Sequence, residues 1–121
     1  MLKTITLPDL NPGERYAGLI LDETGTPTHH LVLLPGDEDS LTFDAANKWA
    51  ASIGGALPTR NEQSLLYANC KAQFESDWYW SGEQRAAVSG DAWYQGFDLG
   101  YQFILIKGAE LRARAVRRLP I

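Results

Sequence analysis

Carboxylates are the side chains with which this chain would do chemistry, for little else is on offer. Glu83, Asp91 and Asp98 fall in one aromatic-rich stretch, and two of them brought into one pocket would suit general acid–base work. Their spacing pairs none with another, so the chain reads as a non-enzyme. Asp37, Glu38 and Asp39 follow Pro35-Gly36; loop oxygens suit Ca²⁺, but the spacing of a calcium loop is missing and a solvated acidic loop is expected. His29 and His30 are the only histidines. Neighbours on a strand point to opposite faces, so the two are not expected to share a metal. Phosphate-cradling glycines, a nucleophile elbow and a zincin helix are all missing from the sequence. No catalytic residue, metal site or cofactor is expected.

Cys70 is the only cysteine, which rules out an intrachain disulfide and a secreted disulfide scaffold. It recurs with Leu66 and Phe74 at helical spacing, so it reads as a small apolar core residue. The formal charge of −4 is unevenly spread: residues 107–121 carry Lys107, Arg112, Arg114, Arg117 and Arg118 against Glu110, a sum of +4, leaving −8 elsewhere. An acidic body with a pI near 5.0 argues against nucleic acid as partner. The tail arginines are expected to pair with acids inside the fold. Residues 1–10 lack the apolar core of a signal peptide, and no apolar run is long enough to span a bilayer. The expected location is a bacterial cytoplasm or a virion, without membrane insertion.

Elements must position these side chains. The chain is the size of one domain, here 1–121, with an arm and hairpin over 1–40 and a core over 41–121. Tyr16–Leu21 and His29–Leu34 flank a polar loop and predict a β-hairpin. Thr42 caps a helix with Asp44 in its first turn, ended by Gly54-Gly55. Thr59 and Glu62 have the spacing of a capping box, opening a second helix with Leu65, Leu66, Cys70 and Phe74 inward. After Phe74 the helical period stops. Short strands are predicted at Trp78–Ser81, Ala92–Phe97, Gln102–Ile106 and Leu111–Val116. The fold class is α+β, with helices segregated from an antiparallel sheet.

Alternation along those strands gives an expectation for the aromatic residues. One face must fill a core, and Trp80, Trp93 and Phe97 are its natural occupants. Phenols and amides would look outward, making Tyr79, Glu83, Gln84, Tyr94, Gln95, Asp98, Tyr101 and Gln102 the candidate partner-binding residues.

The segments "GGALPTRNEQSLLY", "WYWSGEQ", "AWYQGFDLGYQ" and "RARAVRRL" together resemble a bacterial and phage domain family with a C-type-lectin-like fold. Its pattern is G-x-x-LPT-x-x-E, a Y-W-S-S-like strand, W-x-x-x-F…G and a terminal R-x-V-R, matched here by Gly54 to Glu62, Tyr79-Trp80-Ser81, Trp93 with Phe97 and Gly100, and Arg114 with Val116 and Arg117. The resemblance covers roughly residues 41–121. It implies two helices on a looped antiparallel sheet with neighbouring termini, and a phage or prophage module that binds a protein or glycan, as a virion or tail component. The paired cysteines and sugar-binding triplets of calcium-dependent lectins are missing. An intracellular protein that binds or inhibits a host factor, or sequesters a small ligand, is the alternative. The hairpin is expected to complete the sheet of its own subunit; pairing with another chain through an open edge, as a homo-oligomer, is the alternative.

Overall fold

A computed structural model describes residues 4–121. The fold is α+β, with two helices and two sheets. Strands β1 (Arg15–Leu21) and β2 (Pro27–Leu33) form the predicted hairpin, closed by Asp22, whose carboxylate accepts from the Thr24 and Thr26 amides. Strand β3 (Glu38–Leu41) leads into α1 (Phe43–Ser52), and α2 (Arg60–Cys70) runs into a single 3-10 turn, Lys71–Gln73. Then come β4 (Trp78–Gln84), β5 (Asp91–Gly96), β6 (Gln102–Ile106), β7 (Leu111–Ala113) and β8 (Val116–Pro120).

The helix starts are where the sequence puts them. Thr42 accepts from the Ala45 amide at 3.3 Å. Thr59 and Glu62 close a reciprocal capping box, with Glu62 N–H to Thr59 Oγ1 at 3.2 Å and Thr59 N–H to Glu62 Oε1 at 2.8 Å.

The hairpin pairs with the last strand of its own chain in the order β1-β2-β8, while the larger sheet runs β3-β7-β4-β5-β6. All pairs are antiparallel except β4 with β7, which meet in parallel at Tyr79 and Arg112. The predicted strand Leu111–Val116 is in fact two. Ala113 ends in the larger sheet and Val116 begins in the smaller, because Arg114 and Ala115 carry the chain between them. There the Ala115 carbonyl accepts from Leu34 N–H, and Val116 bridges to Ala56. Asp37–Asp39 is not a free acidic loop either. Glu38 and Asp39 lie in β3, and Asp37 accepts from Arg112 Nε at 3.1 Å and from the Tyr79 hydroxyl at 2.5 Å.

Two apolar clusters lie on opposite faces of β4 and β5. Phe43, Ala46 and Ala50 of α1 meet Trp80, Ala92 and Tyr94 in one. Leu66 and Cys70 of α2 meet Tyr79 and Phe97, with Ala17, Leu31 and Leu33 of the hairpin, in the other. The helices are consecutive in sequence yet pack on both faces of the sheet, so β4 and β5 have no outward face. That corrects the expectation that phenols and amides look out: Tyr79, Tyr94 and Gln95 are 1%, 4% and 1% exposed. Tyr79 and Gln95 bond within the fold. The Tyr79 hydroxyl also accepts from the Glu75 amide at 2.8 Å, and Gln95 donates to the Gly96 carbonyl. Burial, and then the bond to Asp37, raise the Tyr79 phenol above its ordinary value. Tyr94 stacks on Trp78 with ring centroids 4.7 Å apart.

The basic tail is used up in the fold. Arg117 makes two 2.8 Å bonds to Glu14, and Arg118 makes two 2.7 Å bonds to the buried Glu62. The buried Arg114 donates to the carbonyls of Gln73 and Leu34. Leu34 is thereby tied to the chain crossing between sheets. No helix among the described residues is long and apolar enough to cross a membrane.

Candidate functional site

An open cleft of about 500 Å³ lies where α2 begins, lined by Thr59, Arg60, Asn61, Glu83 and Gln102. The capping box fixes its floor by setting the first turn of α2. Glu83, on the last part of β4, accepts from the Arg60 amide at 2.6 Å, so its carboxylate sits at the positive end of the helix dipole. Only one of its oxygens is engaged in this way.

Arg60 is the central side chain. Its guanidinium carbon stands 3.5 Å from the centroid of the Trp93 ring, a cation–π stack that the planar guanidinium favours. Gln102 holds it from the side: Arg60 Nε donates to Gln102 Oε1 at 3.2 Å, and Gln102 Nε2 returns a bond to the Arg60 carbonyl at 2.7 Å. Among the described residues no carboxylate lies within ion-pair distance of the Arg60 guanidinium. Arg112, Arg117 and Arg118 all have such partners. The terminal nitrogens of Arg60 are therefore unspent, at the edge of a cleft that also offers Glu83 and the exposed Asn61.

Trp93 also departs from the sequence reading. It is half-buried rather than a core residue. Register explains this. Trp93 faces Ile104 of β6, near the sheet edge, and the first turn of α2 covers it with an arginine instead of an apolar side chain.

Of the eight candidates, Glu83 and Gln102 meet at the cleft. Tyr79, Tyr94 and Gln95 are buried behind it. Gln84 is exposed and accepts from Lys107 Nζ at 2.5 Å. Asp98 accepts from the Leu99 amide at 2.7 Å in the turn after Phe97, beside the exposed Tyr101. Gln84, Asp98 and Tyr101 do not line the cleft. Sequence reasoning missed Arg60, Asn61 and Trp93 as site residues. The available signal was Arg60 at the first helical position after a cap, a place where its side chain projects beyond the helix end.

Glu83, Asp91 and Asp98 do not converge. Asp91 pairs with Arg85 at 3.2 Å and Asp98 closes its own turn. The histidines part as alternation requires: His29 Nε2 lies 2.8 Å from Glu62 Oε2, and His30 Nδ1 lies 2.7 Å from the Tyr16 hydroxyl. Among the described residues no three His, Cys, Asp or Glu side chains gather as a metal site. A shallower hollow of about 320 Å³ between β1 and α2 is lined largely by Leu19, Ile20, Leu21 and Leu65 and shares Asn61 with the cleft. No family model and no curated protein matches this chain.

Proposed function

We propose that this protein is a non-enzymatic binding module on a C-type-lectin-like scaffold, and that it grips a protein or glycan partner at the mouth of α2. The observation that carries this reading is Arg60: stacked on Trp93, clamped by Gln102, and, among the described residues, without a carboxylate at its guanidinium. A cation held in place without a counter-ion is preorganised to donate to a partner's oxygens at little entropic cost. Glu83 and Asn61 add an acceptor and a mixed donor–acceptor beside it, a set that suits sugar hydroxyls or a polar peptide segment. A binding role is further supported by the cleft lining, which contains one carboxylate, already bonded to a backbone amide, and no histidine or cysteine.

The scaffold reading rests on the motif order described above, on two helices sharing one sheet, and on a hairpin completed by the final strand. A phage or virion setting follows from that resemblance alone. The binding test is a glycan and peptide array probed with wild type and Arg60→Ala. Wild type should retain specific spots that Arg60→Ala loses while melting within about 5 °C of wild type, since a part-exposed cation–π contact contributes only about 0.5–1 kcal/mol. Identical spot patterns for the two proteins would reject the cleft as the site.

A further inference from the structure

Four strands end the two sheets, and three have blunted edges. β1 breaks register at Tyr16/Gly18 and again at Ile20/Leu21. β3 breaks between Glu38 and Leu41, with Ser40 at a φ of 56° and two acidic residues on the strand. β8 carries Arg117 and Arg118, includes Pro120, and is bridged by Ala56. β6 is different. Its five residues, "QFILI", pair with β5 without a bulge and contain no charge, proline or glycine. Protected edges are the rule in folded proteins, because an open one templates the addition of a strand.

The register decides which groups β6 offers. Gly96 N–H donates to the Tyr101 carbonyl and Lys107 N–H to the Gly90 carbonyl, each at 2.9 Å. With alternation between them, residues 101, 103, 105 and 107 spend their amides on β5, while Gln102, Ile104 and Ile106 turn theirs outward. Among the described residues, only the Ile106 carbonyl of these outward groups has a partner, the Ala109 amide at 3.1 Å.

We infer that β6 pairs with β6 of a second copy, antiparallel, about a twofold axis at Ile104. That axis sets Ile104 against Ile104 as a doubly bonded pair and Gln102 against Ile106 of the second copy at either end. Every outward amide and carbonyl then finds a partner, with Ile106 accepting through its second lone pair. The register is self-complementary because the central residue is itself outward-facing. On the side chains, Phe103 meets Leu105 of the second copy and Tyr101 meets Lys107, so no like charges oppose. Leu99, Tyr101, Phe103 and Ile106 are 71%, 53%, 58% and 63% exposed. Taking these side chains near the lower part of the aromatic range, they leave about 400 Å² per copy to bury, about 800 Å² in the pair. That is below the range of stable specific interfaces, so the dimer is a weak, transient one held chiefly by its backbone pairing.

The experiment is sedimentation equilibrium from about 1 µM to about 500 µM, on wild type, Ile106→Pro and Phe103→Lys. Proline at Ile106 deletes an outward amide and spares the β5 ladder; lysine at Phe103 places a charge on the seam. Wild type should pass from monomer to dimer with rising concentration while both variants stay monomeric and keep the wild-type circular dichroism. Amide exchange at Ile104 should slow in concentrated wild type, a readout that needs no variant. A wild type that stays monomeric, with Ile104 exchange unchanged, would overturn self-pairing and leave the edge to a strand from another protein. Folded variants that dimerise like wild type would overturn it equally.

Discussion

Glu62→Ala is the perturbation whose size can be worked most directly from the structure. The Glu62 side chain is 1% exposed and serves three elements at once. It accepts from the Thr59 amide at 2.8 Å, receives two 2.7 Å bonds from Arg118 on β8, and lies 2.8 Å from His29 on β2. Losing the capping bond costs about 1 kcal/mol. Charge-assisted bonds contribute about 1.5–3 kcal/mol each when buried, but Arg118 is 36% exposed and rehydrates when freed, so we take about 2 kcal/mol for the pair. The variant should lose about 3 kcal/mol, which for a domain of this size lowers Tm by roughly 10–15 °C. Burial works to raise the Glu62 carboxyl, but bonds from Arg118, Thr59 and His29 outweigh it and hold the group below its ordinary 4.5. A carboxyl so depressed stabilises the fold fully above its unfolded value, and that stabilisation fades as pH falls through the folded one. The gap between wild type and variant should therefore be full at pH 7 and close progressively below about pH 4.5. Thermal melts of both proteins at a series of pH values supply the test. A variant melting within about 3 °C of wild type at pH 7 would refute the assignment of Glu62 as the tie between α2 and the smaller sheet. A gap unchanged at low pH would show that shape, not charge, is what the residue supplies.

Two further perturbations probe the packing on the α2 face. Gly100→Ala puts a Cβ 2.7 Å from the Tyr67 ring at a φ of +89°, whereas Gly25→Ala meets the same kind of backbone, φ +81°, in open space; urea titrations should give a loss of about 1 kcal/mol at Gly25 and about 3 kcal/mol at Gly100, and equal losses would mean that Tyr67 does not press on the turn. Burial raises the Cys70 thiol above its ordinary value and the residue is 6% exposed, so a thiol reagent at pH 8 should label it only at the rate of unfolding. Rapid labelling of native protein would contradict its place in the core.

What the sequence made legible was local. The capping box of Thr59 and Glu62, the Thr42 cap and the 15–33 hairpin each depend on residues a few positions apart, and all are where the spacing puts them. The number of layers is not local. Alternation sorts Tyr79 from Trp80 correctly, but it cannot tell that α1 and α2 take opposite faces, so it sent the tyrosines outward. Tyr79 is satisfied by Asp37, 42 positions away in sequence, and nothing near "DWYWS" announces that partner. The break within "RARAV" was hidden for the same reason: Arg114 leaves β7 to bond the carbonyls of Leu34 and Gln73. Half of the cleft was visible, as Glu83 and Gln102. The missing half, Arg60 on Trp93, required knowing which helix end lies over which strand.

The cleft is tested most directly by isothermal titration of an array-selected glycan or peptide into wild type, Arg60→Ala and Tyr101→Ala. The unspent guanidinium predicts at least a tenfold weaker Kd for Arg60→Ala, about 1.4 kcal/mol, with Tyr101→Ala unchanged. Wild-type affinity in Arg60→Ala together with loss in Tyr101→Ala would place the partner on the exposed turn and contradict the account.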